Sequence, residues 1–151
     1  RSKMEESLNY LKEQFRLSDV DIRTYSPQVL AYIGDGVYEL VIRTILVGKG
    51  NCQANDLHRK ASSYVRASAQ AAMILSIREE LTEEEHHVYK RGRNAKAFSM
   101  AKHATMSEYR HATGFEALMG HLYLTGQMTR MIDLVRTGME RTGGLPWDTK
   151  N

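Results

Sequence analysis

Apolar residues recur along this chain at the three- and four-residue spacing that is typical of amphipathic helices. No stretch alternates strictly between apolar and polar residues as a half-buried strand would, and no internal repeat or low-complexity tract is present. The pattern predicts six helices, at about 5–15, 26–47, 55–81, 82–93, 107–124 and 128–141. The predicted fold class is therefore all-α, a helical bundle.

Local capping chemistry supports several of these boundaries. Ser26 followed by Pro27 is a favourable helix start, with serine as the N-cap and proline at the first helical position. The residues from Thr82 to Glu85 have the form of a capping box. The helix over 26–47 is apolar on nearly all sides, so we expect it to be the central buried helix. Residues 94–105 have weak periodicity and are expected to form a basic loop.

Composition sets the broad class of the protein. With 151 residues, of which 42% are hydrophobic and 26% charged, the chain is expected to fold around one core. No apolar run approaches the roughly 20 residues of a membrane span, so no membrane partner is expected. The single cysteine, Cys52, excludes an internal disulfide and favours a reducing compartment, the bacterial cytoplasm. We expect an N-terminal segment with the first helix at 1–25, forming a single domain with 26–142, and a tail at 143–151.

The positive charge of the chain is concentrated in two places. The net charge is +3, yet residues 86–111 alone carry six Lys or Arg and one acid, so the rest of the chain is slightly acidic. A second basic stretch contains His58, Arg59, Lys60 and Arg66. Concentrated positive charge on a nearly neutral protein indicates a polyanionic partner such as a nucleic acid. The alternative is a solvated helix face with long cationic side chains.

Two carboxylates occur inside strongly apolar helical segments. Asp35 lies in the 26–47 helix between Gly34 and Gly36, and Glu116 lies among apolar and small residues in the 107–124 helix. The two glycines weaken the helix, which indicates that another group approaches its backbone closely. Two inward carboxylates on packed helices would form an oxygen-ligand site for Mg²⁺ or Mn²⁺. The alternative is that each carboxylate pairs with a buried Arg, Lys or Tyr.

The segments that contain these carboxylates resemble motifs of the ribonuclease III family. Leu30–Leu40, with the core Ile-Gly-Asp-Gly-Val, resembles the family's signature helix, and Phe115–Gly120, which reads Phe-Glu-Ala-Leu-Met-Gly, resembles its second motif. The intervening Asn55–His58, Lys90–Lys96 and Tyr109–Arg110 are similar to the small bacterial branch called Mini-III. The resemblance covers about 26–136, and the ordered set of motifs is more specific than any one of them.

The resemblance implies the ribonuclease III endonuclease-domain fold and a homodimer that cuts double-stranded RNA with a divalent metal, Mg²⁺ with Mn²⁺ as a substitute. Asp35 matches the family's catalytic, metal-binding aspartate, Glu116 matches its metal-binding glutamate, and Tyr32 falls where the family has an aromatic residue at the dimer interface. The Mini-III branch consists of the nuclease domain alone, so no separate RNA-binding domain is expected. Its members process the ends of precursor 23S ribosomal RNA, and the family's products carry 5′-phosphate and 3′-hydroxyl ends.

Binding of duplex RNA should depend on phosphate contacts, because the deep major groove of A-form RNA hides the bases. We expect the main phosphate contacts from Lys90, Arg91, Arg93 and Lys96, and secondary ones from His58, Arg59 and Lys60. Binding of bare duplex should be modest and strongly salt-dependent. A protein partner, such as a ribosomal protein, could supply further affinity.

The chain departs from the family pattern at two acidic positions. The family has Glu where this chain has Ala31, and Asp three residues before the second-motif Glu, where this chain has Thr113. The Mini-III resemblance implies that activity is retained without these acids, but the number of metals bound per site stays open. The departures motivate one alternative, a ribonuclease III-like protein that binds RNA without cutting it. A second alternative is an all-α interaction module with no RNA role.

Overall fold

The computed structural model of the chain describes residues 3–95 and 104–144. Within these ranges there is no strand, which confirms the predicted all-α class. The α-helices are α1 Lys3–Gln14, α2 Pro27–Gly48, α3 Ala54–Val65, α4 Ala67–Ile77, α5 Glu83–Arg93, α6 Met106–Leu124 and α7 Met128–Arg141. Two short 3₁₀ turns, Ile22–Thr24 and Arg78–Glu80, precede α2 and follow α4. None of these helices is long and apolar enough to cross a membrane.

The predicted caps of α2 and α5 are confirmed. The Ser26 hydroxyl accepts a hydrogen bond from the Val29 amide at 3.2 Å, and Pro27 opens the helix. Thr82 and Glu85 form the reciprocal pair of bonds that defines a capping box. An equivalent pair between Thr105 and Glu108 starts α6. These local interactions satisfy amide groups that would otherwise lack partners at a helix start.

The prediction of one continuous helix over 55–81 is wrong. The chain breaks at Arg66, whose extended backbone ends α3 and starts α4, and a 3₁₀ turn follows α4. Both sides of the break are helical, so the apolar periodicity continues across it and does not reveal it. The break turns the chain so that α4 packs against α6 and α7, whereas α3 packs mainly against α2.

The central helix of the bundle is α6, so the prediction that the 26–47 helix occupies this position is also wrong. Helix α6 packs against α2, α4, α5 and α7. Its Phe115 is fully buried and meets the Tyr38 ring of α2 edge-to-face, with ring centroids 4.9 Å apart. Helix α2 buries one face and leaves apolar side chains exposed on the other, at Val29, Tyr32, Leu40 and Val47. The apolar residues of α2 therefore lie partly in the core and partly on an exposed surface.

Helices α2 and α6 approach each other closely because glycine occupies the crossing point on both. A Cβ on Gly34 would lie 1.8 Å from the Glu116 carbonyl oxygen, and a Cβ on Gly120 would lie 2.0 Å from the Leu30 carbonyl oxygen. The expected close approach is thus found at Gly34. At Gly36 no described atom of the chain makes such an approach, because a Cβ there would meet nothing within 4 Å.

One ion pair connects α5 to the start of α7. The Arg130 guanidinium donates to both Glu85 carboxylate oxygens, at 2.8 and 2.9 Å, and to the Glu80 carbonyl oxygen at 2.7 Å. The Glu85 side chain is only 6% exposed. Burial opposes the charged form of Glu85, but the Arg130 and Thr82 hydrogen bonds outweigh it and bring the pKa of Glu85 below its usual range.

Candidate active site

The crossing of α2 and α6 brings the side chains of Asp35 and Glu116 into contact. Asp35 directly follows Gly34, and its carboxyl group lies close enough to that of Glu116 for the two groups to interact. Glu116 is half-buried, as expected for an inward carboxylate. Asp35 is exposed, so the expectation that both carboxylates point into the core is wrong for Asp35. The pair therefore lies at the edge of the core, where solvent and a ligand can reach it.

The electrostatics of this pair favour a proton on Glu116. Burial, the neighbouring negative charge of Asp35 and the hydrogen bond with Asp35 together raise the pKa of Glu116 to about 8. A hydrogen bond from Gln70 opposes these effects. Two carboxyl groups that share one proton in this way repel each other when both are ionised. A bound cation that replaces the proton therefore stabilises the ionised pair.

No basic residue in the described parts of the chain forms an ion pair with either carboxylate. Across residues 3–95 and 104–144, the ion pairs of the protein involve other acids, such as Asp21, Glu85 and Glu140, and none includes Asp35 or Glu116. The alternative reading, in which each carboxylate pairs with a buried Arg, Lys or Tyr, is therefore not what the structure shows. A buried acid without a basic partner is costly, which marks this pair as a functional candidate.

A third side chain, Gln70 of α4, completes the cluster, and the sequence analysis missed it. Gln70 is 2% exposed. Its Nε2 donates to the Glu116 carboxylate at 3.3 Å and to the Val65 carbonyl oxygen at 2.8 Å. The available signal was a glutamine among the small and apolar residues of Ala67–Ile77, where a polar side chain needs a buried partner.

The positions of the two missing family acids are filled in different ways. Ala31 is buried and packs in a small cluster with Val88 and Ala117. Thr113 is half-buried, and its hydroxyl donates to the Tyr109 carbonyl oxygen of its own helix at 3.0 Å. Ala31 thus contributes to packing, whereas the Thr113 hydroxyl bonds to the backbone of its own helix.

This donor set fits a hard divalent cation held by few protein ligands. No group of three or more His, Cys, Asp or Glu side chains suited to a metal occurs in the described parts of the chain. Two carboxylates are nevertheless sufficient for Mg²⁺, which keeps several waters and takes further oxygens from a phosphate substrate. In addition, the buried Gln70 Oε1 has no hydrogen-bond partner among the residues that the structure describes.

The basic residues of α5 are only partly free to contact a ligand. Lys90 is exposed at the end of the helix. Arg91 is half-buried, and its guanidinium donates to the Tyr25 carbonyl oxygen at 3.4 Å. Arg93 lies over the Tyr89 ring, 5.5 Å from its centroid, which holds it in place by a cation–π contact. The fourth residue predicted here, Lys96, lies outside the described residues.

The second basic cluster lies along α3. His58, Arg59 and Lys60 are all exposed, and Arg59 forms an ion pair with Asp56. Helix α3 ends at Val65, whose carbonyl oxygen receives the Gln70 hydrogen bond, and the exposed Arg66 follows directly. The end of this cluster therefore lies next to the carboxylate pair.

Comparison with known proteins places these features in a family. The profile of the Ribonuclease III domain matches residues 28–127. The chain is 46% identical to Mini-ribonuclease 3 of Enterococcus faecalis over 82% of this chain and 95% of the relative. It is 49% identical to Mini-ribonuclease 3 of Brevibacillus brevis over 74% of this chain and 83% of the relative.

A solved structure supports the same assignment. The crystal structure of protein FN1578 from Fusobacterium nucleatum superposes with a TM-score of 0.73 at 30% sequence identity, over 81% of this chain and 94% of that one. The profile match, the relatives and the shared fold agree with the motifs around Asp35 and Glu116. The chain therefore belongs to the ribonuclease III family of endoribonucleases, in its Mini-ribonuclease 3 branch.

Proposed function

We propose that this endoribonuclease cleaves double-stranded RNA with a divalent cation, Mg²⁺ or in its place Mn²⁺, held by Asp35 and Glu116. The observation that carries the proposal is the contact between these two carboxyl groups without a basic partner in the described part of the chain. Such a pair binds a proton when it is free of metal, and a cation can replace that proton.

Each side chain of the cluster has a separate part in the proposed reaction. A bound Mg²⁺ activates water and neutralises the charge that develops on the phosphate. Asp35, which is exposed, presents its carboxylate on the side from which the RNA arrives. Glu116 would lose the shared proton and could then supply a second oxygen to the cation. Attack by water forms a new bond to phosphorus as the bond to the 3′ oxygen breaks. The attacking water releases a proton to solvent and the 3′ oxygen takes one up, which leaves 5′-phosphate and 3′-hydroxyl ends.

The RNA-binding surface that we propose combines the end of α5 with α3. Lys90 and Arg93 contact phosphates on one side of the carboxylate pair, with Arg91 and Lys96 beside them. His58, Arg59 and Lys60 make secondary contacts, and Arg66 joins them because it lies at the end of α3 next to the site. A cleft that contains Arg93 and Arg110 extends the first group. Contacts of this kind follow the shape of an A-form duplex without reading its sequence.

A second copy of the chain is the proposed occupant of the exposed face of α2. Val29, Tyr32, Leu40 and Val47 are each about half or more exposed, and Tyr32 reaches 83%. Their successive spacings of three, eight and seven residues place them along one side of the helix. A homodimer formed through this face would cover Tyr32 and carry two carboxylate pairs, one for each strand of the duplex.

The natural substrate we propose is precursor 23S ribosomal RNA in the bacterial cytoplasm, with a ribosomal protein as an additional partner. This proposal extends the resemblance to the Mini-III branch. The half-buried Cys52, which forms no disulfide, is compatible with a reducing compartment. A protein partner would supplement the small number of basic residues that are free to contact RNA.

Cleavage of a long duplex RNA in Mg²⁺ tests the function. Asp35→Asn and Glu116→Gln should bind the duplex in low salt and fail to cleave it. Glu39→Gln is the matched control, since Glu39 lies one turn after Asp35 and instead contacts Arg43, at 3.5 Å. If wild-type protein binds the duplex but cleaves it with neither Mg²⁺ nor Mn²⁺, then the protein is an RNA-binding member of the family, and the missing acids at Ala31 and Thr113 account for it.

A further inference from the structure

A buried glutamine connects three parts of the fold at the proposed active site. Gln70 lies in the first turns of α4, and its amide group joins the end of α3, through Val65, to the Glu116 carboxylate of α6. Its neighbours in the helix, Ala71, Met73 and Ile74, are buried apolar residues. An apolar side chain of the same length would suit these surroundings, so the polar amide requires a reason.

The orientation of the amide is fixed by its two partners. The Val65 carbonyl oxygen, at 2.8 Å, and the Glu116 carboxylate, at 3.3 Å, both accept hydrogen bonds. Only the NH₂ end of a glutamine can serve two acceptors, so Nε2 faces both of them and Oε1 faces elsewhere. Oε1 is buried and, within the described ranges, has no hydrogen-bond partner.

The amide suits one task at a cation site. Nε2 restricts Glu116 to one orientation, because the Val65 carbonyl fixes the donor from its other side. Groups that orient a ligand in this way commonly affect metal affinity strongly although they do not touch the metal.

We propose that Gln70 is a positioning residue that holds Glu116 in the orientation required for a divalent cation. This inference rests on the proposed function of Asp35 and Glu116. With only two carboxylates at the site, correct placement of one of them by Gln70 has a large effect on binding.

The direct test is Mn²⁺ binding to metal-free protein without RNA, followed by electron paramagnetic resonance. Gln70→Met keeps the length of the side chain and removes both polar atoms. We expect its Mn²⁺ affinity to fall by about 10- to 100-fold. Met73→Leu is the matched control, because it alters another buried residue of α4 without contacting Glu116, and it should bind Mn²⁺ as the wild type does. Excess Mn²⁺ should restore kcat in Gln70→Met.

A purely structural role would give a different result. If Gln70 served only to satisfy the Val65 carbonyl, Gln70→Met would lower the Tm and leave Mn²⁺ affinity unchanged, which would overturn the inference. If Gln70→Met does not fold, the deciding measurement is the NMR signal of the Gln70 side-chain amide in wild-type protein. A shift of that resonance on Mg²⁺ titration, absent in Glu116→Gln, supports the inference, and no shift overturns it.

The same experiments separate this inference from the proposed function. Asp35→Asn and Glu116→Gln should lose Mn²⁺ binding. If they do and Gln70→Met binds normally, the role of Gln70 alone is rejected. If wild-type protein binds no Mn²⁺, or binds it without Asp35 and Glu116, both the proposed function and the role of Gln70 are rejected.

Discussion

The α carbon of Gly34 lies against the backbone carbonyl of Glu116, so that a Cβ on residue 34 would come within 1.8 Å of that oxygen. This contact places Asp35, the next residue, beside the Glu116 side chain. The position of one carboxylate relative to the other is thus determined by the absence of a side chain at the preceding residue. A shift between α2 and α6 would separate the two groups.

Substitution of this glycine should therefore damage both stability and the site. We expect Gly34→Ala to lower the free energy of unfolding by about 2 kcal/mol or more, because backbone atoms must move to make room. Gly36→Ala, which meets nothing within 4 Å, should raise it by up to about 1 kcal/mol through helix propensity alone. Urea denaturation in a Tyr32→Lys background, which keeps a partner chain from contributing, measures both. Equal effects of the two substitutions would contradict the packing described for Gly34.

The protonation of Glu116 should make the stability of the metal-free protein depend on pH. Its pKa rises from 4.5 in the unfolded chain to about 8 in the folded protein. At a pH between these two values, the folded state still holds a proton that the unfolded state has released. The stabilisation that comes from this proton is complete below about pH 4.5 and is lost as the pH rises through about 8. The free energy of unfolding of wild type minus that of Glu116→Gln should therefore fall from pH 5 to pH 8 in EDTA. A difference that is constant across this range would show that Glu116 titrates normally.

The exposed face of α2 predicts the oligomeric state. Tyr32 is 83% exposed in the single chain, so Tyr32→Lys should leave the fold intact and weaken self-association by at least about tenfold. Sedimentation equilibrium should show a wild-type mass of twice 17.2 kDa and a variant shifted toward 17.2 kDa. Ile132→Lys, at an apolar α7 residue that is 50% exposed, is the control and should sediment as the wild type does. Wild-type protein that is monomeric at all concentrations would refute the proposed dimer.

The ion pair between Arg130 and Glu85 should be the most important one for stability. Arg130→Met leaves the Glu85 carboxylate buried without its partner, and we expect a loss of about 3 kcal/mol. Arg136→Met removes an exposed pair with Glu140 and should cost less than about 0.5 kcal/mol. Thermal unfolding at pH 7 compares the two variants. Similar Tm values for both variants would mean that the buried Glu85–Arg130 pair contributes no more to stability than the exposed Arg136–Glu140 pair.

The sequence predicted the features of the fold that depend on nearby residues. Ser26 and Thr82 cap helices through groups three residues away, so their roles can be recognised without a structure. The break at Arg66 could not be recognised, because the helical periodicity is the same on both sides and only the packing of α4 on α6 requires the turn. The exposure of Val29, Leu40 and Val47 was likewise hidden, since an apolar residue on a helix has the same sequence signal whether the core or another chain covers it.

The candidate site shows the same division between local and tertiary information. Asp35 and Glu116 were identified because each is an acid in an apolar helix and lies in a recognisable motif. Gln70 was missed because its meaning comes only from contact with Glu116, 46 residues further along the chain. The exposure of Asp35 was also missed, because helical periodicity does not define which side of α2 the neighbouring helices cover.

The three side chains of the site come from three packed helices, α2, α4 and α6, and none comes from a loop. Local opening of a protein is easiest at loops and helix ends and hardest in the centre of a packed bundle. Amide protons around Asp35 and Glu116 should therefore exchange with solvent only when the whole bundle unfolds. Within the described residues the proposed reactive groups lie on helices alone, so we expect changes in substrate choice to arise at the protein surface and to leave the chemistry intact.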